Sequence, residues 1–333
     1  RWVWKQGLEA SYARYTNRTT QRIYANNEAS LLKYDTDLGI WSWGGFVSAD
    51  YTSPDQRFTS SFGIRTDASD LVKMNNLLKQ LSPRISANYT FNEHWSIAGN
   101  VGIYYEMPPF TALGFKDKEG NFVNRELKYQ RVASGSAGVN WRPSTRIILS
   151  MEGFYKRYTD MPLCVLDNIP LACKGNDYGI FGNEALVSSA QGRAYGVELL
   201  AKWQVPDRIN ASASLTLYQS EYRNDKHSPY LPSAWDNRYI LNMSCIWSLP
   251  RKWDLGAKLS VIGGSPYTPF DEEKSSLVEA WNASGRPLYN YDLYNTCRLA
   301  SYAQLDLRID KNYFFRKWRL GWYISLQNMT GSK

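Results

Sequence analysis

The chain has 333 residues, a formal charge of +8, and aromatic residues at 15%, among them 13 Trp and 24 Tyr, yet its mean hydropathy lies well below zero. An ordinary soluble domain rarely pairs so many large amphipathic rings with so polar an average. No stretch approaches the roughly 18 apolar residues of a membrane helix, so a membrane crossing would have to use strands closed into a barrel, which also satisfies backbone hydrogen bonds in lipid.

From the start, Arg1-Trp2-Val3-Trp4 reads as the inside of an element and not as a leader. Period-two alternation then recurs along the chain. It predicts about thirteen strands: 2–15, 37–52, 57–68, 81–91, 94–106, 129–141, 146–159, 191–204, 208–223, 235–248, 252–263, 300–311 and 317–329. Most have the 9–11 residues that a tilted strand needs to cross hydrocarbon. In 209–218, Ile209, Ala211, Ala213, Leu215 and Leu217 alternate with Asn210, Ser212, Ser214, Thr216 and Tyr218. Segments 253–261 and 303–310 repeat the pattern, and their polar faces carry charges that a packed soluble core would reject.

The connections alternate in length. Short turns fall at 53–56, 92–94, 142–145, 205–207, 249–252 and 311–317; long polar segments fall near 16–36, 69–80, 107–128, 160–190, 224–234 and 264–299. Outer-membrane barrels sort their connections this way, with tight turns at the periplasm and long loops outside. Rings stand next to the short turns on the apolar face: Tyr51, Phe58, Phe91, Trp95, Trp141, Trp203, Trp247, Trp253 and Trp318. Rings at one depth on successive strands make an interfacial aromatic girdle. The fold class expected is all-β, an antiparallel transmembrane β-barrel. An odd strand count leaves an open edge, so further strands are expected upstream and at least one downstream.

The chemistry-bearing residues are sparse. His94 and His227 have no metal-ligand partner at useful spacing, no C-x-x-C occurs, and neither a metal nor a cofactor is expected. Cys164 and Cys173 share one polar loop that a disulfide between them would close; Cys245 and Cys297 are expected unpaired. Arg84, Glu152, Glu198, Lys202, Asp254, Lys258, Asp306 and Arg308 share the polar faces. They are expected to pair with one another along a wet lumen or against a plug, since barrel interiors are polar. A carboxylate pair of glycosidase type is the competing reading. Ligand-contact candidates are Tyr104, Tyr105, Tyr218 and Tyr222 at outer strand ends, and Tyr267, Tyr289, Tyr291 and Tyr294 in the long loop 264–299. Such rings serve equally as a girdle or as a stacking surface for a sugar or cofactor face. The basic residues gather on no single face, and Arg142, Arg208, Arg251, Lys252, Arg316 and Lys317 flank short turns, so the charge reads as a solvated rim with no nucleic-acid partner.

Several segments resemble those of TonB-dependent outer-membrane receptors. Leu81-Ser82-Pro83-Arg84-Ile85 followed by Gly102-Ile103-Tyr104-Tyr105-Glu106-Met107-Pro108-Pro109-Phe110 is similar to their LSPR and PPF segment. Glu152-Gly153-Phe154-Tyr155-Lys156-Arg157-Tyr158 and Gly192-Arg193-Ala194-Tyr195-Gly196-Val197-Glu198-Leu199 resemble two of their strands. So do Asp236-Asn237-Arg238-Tyr239 with Gly264-Ser265-Pro266-Tyr267-Thr268-Pro269, and Leu305-Asp306-Leu307-Arg308-Ile309-Asp310-Lys311 with Gln327-Asn328. The resemblance covers about residues 80–330 and implies 22 strands around a plugged lumen, of which this chain matches roughly strands nine to twenty-one. It implies energised import of a metal chelate, cobalamin, glycan or peptide, and no enzymatic activity. Implied partners are the bilayer and lipopolysaccharide, a TonB-type energy-coupling protein reached through an N-terminal part beyond this chain, and a surface lipoprotein lid. A passive porin, or a barrel that scaffolds surface lipoproteins, is the alternative.

Overall fold

A computed structural model describes the whole chain except residues 26, 27, 176–181, 286 and 333. Its strands are β1 (Trp2–Ala25), β2 (Glu28–Thr52), β3 (Phe58–Ser69), β4 (Ser82–Thr90), β5 (Trp95–Glu106), β6 (Gln130–Ser144), β7 (Ile147–Cys164) and β8 (Leu186–Val205). They continue with β9 (Ile209–Arg223), β10 (Leu231–Pro232), β11 (Tyr239–Leu249), β12 (Trp253–Ile262), β13 (Pro266–Tyr267), β14 (Cys297–Arg298), β15 (Tyr302–Phe314) and β16 (Arg319–Leu326). Thirteen long strands pair antiparallel in the order β1-β2-β3-β4-β5-β6-β7-β8-β9-β11-β12-β15-β16, with β10 added to β9; β13 and β14 form a separate pair. Each strand expected from alternation has its counterpart in this wall, which is that of an antiparallel transmembrane β-barrel. All six short turns lie at one end, and the long connections at the other.

Register explains why the wall holds. On one face, Leu215 stands opposite Leu199 and Leu241, and Leu259 opposite Met243 and Leu305. On the other, serine and amide side chains bond across strands, as in Ser212–Ser244 at 2.9 Å, Ser260 donating to Asn242 at 3.0 Å, and Asn100 donating to Ser136 at 2.6 Å. A slip of one residue would exchange the two faces, so the register is strongly specified. The apolar face stays uncovered by protein: Val101 is 56% exposed and Met243 45%. Lipid is the solvent that suits such a band.

Two expected loops are corrected. The first, 16–36, is largely strand, because β1 and β2 stay paired out to Ala25 and Glu28. Charged residues disguised the alternation: Arg14–Asp37 at 2.6 Å and Arg18–Asp35 at 3.1 Å ladder one side of this hairpin. Leu32, Tyr34, Thr36, Leu38 and Ile40 are buried on its other side. The second, 160–190, is shortened by β7 running on to Cys164 and β8 starting at Leu186, with 176–181 outside the described residues.

The packed core sits at the loop end and not in the wall. Leu38 and Ile40 of β2 join Leu71, Met74, Leu113 and Leu127 from two loops in one cluster. Met161, Leu163, Ile169, Cys173, Ala190 and Tyr222 form another. Short helices α1 (Phe110–Leu113), α2 (Glu272–Ser275) and α3 (Val278–Ser284) occur only in these loops, and α3 lies against β1 and β2. The last long loop thus reaches the first hairpin of the chain.

Candidate ligand site

Three buried polar side chains tie the loops into one crown. Asn124 donates to the carbonyls of Ala112 and Glu184, each at 2.8 Å, and accepts from the Leu186 amide at 2.9 Å. Asn295 donates to the carbonyls of Cys173 at 2.8 Å and Pro232 at 2.9 Å, joining 264–299 to two other segments. The fully buried Asp236 carboxylate accepts from the Ser220 amide and pairs with Arg298 at 2.6 Å and Arg238 at 2.9 Å. Buried polar groups with all partners in place specify one arrangement, and a partly satisfied set would be costly.

Beside them, the Lys174 ammonium lies 2.6 Å from Asp167 and 2.7 Å from Glu184. Burial opposes the charge on Lys174, but Glu184, Cys164 and Asp167 outweigh it and hold the group above its ordinary range. Cys164, Asp167 and Glu184 have donor atoms close enough together to hold a metal, and the lysine already supplies the cation there.

The disulfide expected between Cys164 and Cys173 is not formed; both thiols are free and buried. Backbone bonds close this turn, from Cys164 N to Ile169 O at 3.0 Å and from Asn168 N to Cys164 O at 3.1 Å. Cys164 is turned toward Lys174, while Cys173 is placed 3.7 Å from the Leu231 carbonyl. Burial pushes both thiols up from the ordinary cysteine value.

The eight candidate tyrosines do not share one site. Tyr222 is buried, lies tilted against Tyr158 at 5.4 Å between centroids, and belongs to the cluster that Tyr294 covers. The more exposed Tyr291 stacks on Tyr294 at 6.0 Å, extending the aromatic surface to the exterior. Tyr218 donates to the Trp235 carbonyl at 2.6 Å, Tyr289 stacks on Phe270 at 5.4 Å, and Tyr267 lies in β13. Tyr104 lies under the Arg84 guanidinium, 4.4 Å away, whereas Tyr105 takes the opposite strand face, across from Arg131.

Glycines of β8 make room for the Tyr222 ring and for the β9 backbone. A Cβ on Gly192 would meet the Tyr222 ring at 2.3 Å, and one on Gly196 would meet the Leu217 carbonyl at 2.3 Å and Tyr218 at 2.8 Å. Gly192 therefore lets the Tyr222 ring of β9 lie across β8, and Gly196 lets the two backbones approach closely.

On the polar face of the wall, the expected ion pairs are not made among the described residues. Arg308 pairs with Asp310 at 2.7 Å, two residues along its own strand, instead of with the four carboxylates expected. Asp306 accepts from Gln304 and from the Asn328 amide, both at 2.9 Å, and Asp254 from Ser248 at 2.5 Å. Lys258 stands opposite Asp306, Lys202 opposite Ile148 and Ser212, and Glu152 opposite Glu198. Same-strand neighbours two apart and short hydroxyl or amide donors reach these carboxylates first. Like charges directly opposite, as in Glu152 and Glu198, cost stability and suit a face that keeps its water.

The rings beside the short turns pair across neighbouring strands. Register puts Tyr51 across from Trp2, Phe58 across from Tyr89, Trp95 across from Trp141, Trp203 across from Ile147, Trp247 across from Ile209 and Leu255, and Trp253 across from Leu249 and Lys311. Phe91 packs edge-on against Tyr89, and Trp318 stacks on Phe315 at 3.8 Å. Missed by sequence reasoning are Asn124 and Lys174, whose partners lie on other segments up to 62 residues away; Asp236 carried a signal, since its segment was singled out by motif. Tyr158 carried a signal, since its strand was already singled out by motif.

An up-and-down wall with an apolar band on one face, a polar opposite face and a stapled loop crown defines the wall of an outer-membrane β-barrel. The chain belongs to the TonB dependent receptor-like β-barrel family, whose model matches residues 2–329. It is a protein of the bacterial outer membrane. A search of curated sequences gives no significant match. Among solved structures, the fold resembles a mutant of the ferric enterobactin receptor PfeA from Pseudomonas aeruginosa, with 15% identity, TM-score 0.67, 99% of this chain covered and 46% of that one. The outer membrane transporter YddB from Escherichia coli matches with 11% identity, TM-score 0.61 and coverages of 99% and 47%. The copper transporter OprC matches with 12% identity, TM-score 0.62 and coverages of 99% and 49%. The chain spans about half the length of these proteins.

Proposed function

We propose that this chain is the larger part of the barrel wall of an energised importer, and that the loop crown receives a solute at the outer mouth. The observation that carries this reading is the crown itself. Asn124, Asp236 and Asn295 hold loops from distant parts of the chain in one arrangement above the polar face, and a preorganised surface lowers the cost of binding. Arg84, Glu152, Glu198, Lys202, Asp254, Lys258, Asp306 and Arg308 then line the lumen or meet a plug, and the ring row forms the periplasmic girdle. In this reading the plug, the remaining strands and the segment that meets a TonB-type energy-coupling protein belong to the rest of the receptor.

The stacked pair Tyr291 and Tyr294 suits a ligand with a flat face, such as a sugar ring or an aromatic chelate. Two of the fold neighbours are, by name, a ferric enterobactin receptor and a copper transporter. The test is growth of the native host on single sources, with ferric enterobactin, cupric ion, cyanocobalamin and oligosaccharides each limiting in turn. One source is expected to fail equally when the receptor is deleted, when the energy-coupling protein is depleted, and when the full receptor carries Tyr291→Ala with Tyr294→Ala. Uptake that persists without the coupling protein would replace this reading with a passive pore.

A further inference from the structure

The short turns gather most of the chain's excess charge. The turns at 53–57, 92–94, 142–146, 206–208, 250–252 and 315–317 hold Arg57, Arg142, Arg146, Arg208, Arg251, Lys252, Arg316 and Lys317 against three carboxylates, Asp55, Glu93 and Asp207. That is a net +5 of the chain's formal +8, set at one rim of the wall, and only the turn at 92–94 adds no Lys or Arg. All eight side chains are exposed. Elsewhere the cations are matched, as in Lys5 with Asp50, Arg65 with Asp67 and Glu9, Arg308 with Asp310, and Lys174 with Asp167 and Glu184. Among the described residues, none of the eight rim side chains makes an ion pair, a hydrogen bond or a contact with a ring face. Asp55 is engaged by its own turn, accepting from the Ser53 hydroxyl at 2.5 Å and the Arg57 amide at 3.2 Å.

Depth follows from the neighbours in sequence. Arg57 adjoins Phe58, Arg142 adjoins Trp141, Lys252 adjoins Trp253 and Lys317 adjoins Trp318. Trp141 is 39% exposed and Trp318 57%, so these rings open directly onto the surroundings. A strand rises about 3.3 Å per residue, which puts each cation one step beyond a ring, and rings of this kind settle at headgroup level. Turns of three to five residues frame no concave seat for a folded partner, and a soluble acidic protein would leave the adjoining rings uncovered. An anionic phospholipid covers both, with its phosphate on the cation and its chains on the ring and the apolar band. Outer-membrane barrels keep their tight turns at the periplasm, so the leaflet concerned is the inner one.

We propose that Arg57, Arg142, Arg146, Arg208, Arg251, Lys252, Arg316 and Lys317 form a collar that selects anionic phospholipid headgroups from the inner leaflet of the outer membrane. Contact with a bilayer needs only the apolar band; the collar adds a choice of headgroup. A zwitterionic lipid brings its own ammonium to a rim that is already basic, whereas a singly anionic one neutralises it, and arginine grips phosphate through two bonds. The collar rests on the membrane placement of the wall and not on the import reading, which its failure would leave intact.

The experiment uses the full receptor, delipidated in mild detergent, offered equal amounts of phosphatidylglycerol and phosphatidylethanolamine, and washed. Its retained lipids are then counted by mass spectrometry. Arg142→Gln with Arg208→Gln and Lys317→Gln, from three separate turns, is expected to lower the preference for phosphatidylglycerol about tenfold, in line with the attraction of several basic residues to an anionic surface. The same number of cations removed at the loop end, by Lys79→Gln with Lys118→Gln and Lys226→Gln, should leave it unchanged. An unchanged preference in the rim variant, or an equal fall in the loop-end variant, would overturn the collar. So would complete displacement of the lipid by soluble polyglutamate, which would assign the rim to an acidic periplasmic protein. Washing the wild type at about 1 M salt, where exposed charges are screened within about 3 Å, should erase most of the preference; a salt-independent preference would overturn the collar without any variant having to fold.

Discussion

Leu38 and Leu215 are both leucines in long antiparallel strands, but their surroundings are opposite. Leu38, on the polar-face side of β2, is 1% exposed beneath the loop crown. Leu215 is on the apolar face, flanked by Leu199 and Leu241, with no protein layer over it. The wall is thus an inverted protein, whose apolar residues face outward because lipid replaces water as their solvent. The crown is an ordinary one, with apolar residues inside and the buried Asn124, Asp236 and Asn295 each bonded to several partners. One chain follows two solvation rules, and the boundary between them lies where the strands leave the membrane.

Substitutions on either side of that boundary should separate the two regions. The largest effect is expected in the crown. Asp236→Ala leaves Arg298 and Arg238 without their shared carboxylate and should cost about 3 kcal/mol, the low end for a broken buried pair because both arginines are partly hydrated. Hydrogen exchange should show the faster opening confined to 224–238 and 264–299; equal loosening of β11 and β12 would mean that crown and wall are one cooperative unit.

In the wall, Leu215→Arg should cost roughly 2–4 kcal/mol near the bilayer centre, while Ser212→Arg on the polar face should cost little. Urea titration of receptor folded into vesicles measures both, and equal costs would abolish the distinction between the faces. The smallest effect is chemical. Iodoacetamide at pH 8 should modify neither Cys164 nor Cys173 in the folded receptor, since burial raises both thiols. The half-buried Cys297 should react first. Early loss of Cys164 or Cys173 would show that the crown opens without the wall.

The strand order shows how far alternation reaches. The thirteen long strands were legible from period and turn position alone, because a strand has one side-chain period and a membrane wall has two uniform solvents. Where a third environment covers part of a strand, that reading fails. Residues 16–36 looked like a loop because Arg14, Arg18, Asp35 and Asp37 pair on one side, while the cover over Leu32, Tyr34 and Leu38 comes from elsewhere in the chain.

By itself, the sequence determined the strand count and the sorting of turns and loops, which rest on short-range periodicity, and the family resemblance, which rests on local motifs. Tertiary structure alone decided that Cys164 and Cys173 stay apart, that Asn295 bonds to Cys173 and Pro232, and that Arg157 faces Arg193. Each depends on which distant segments meet, and contacts between segments tens of residues apart leave no period in the chain.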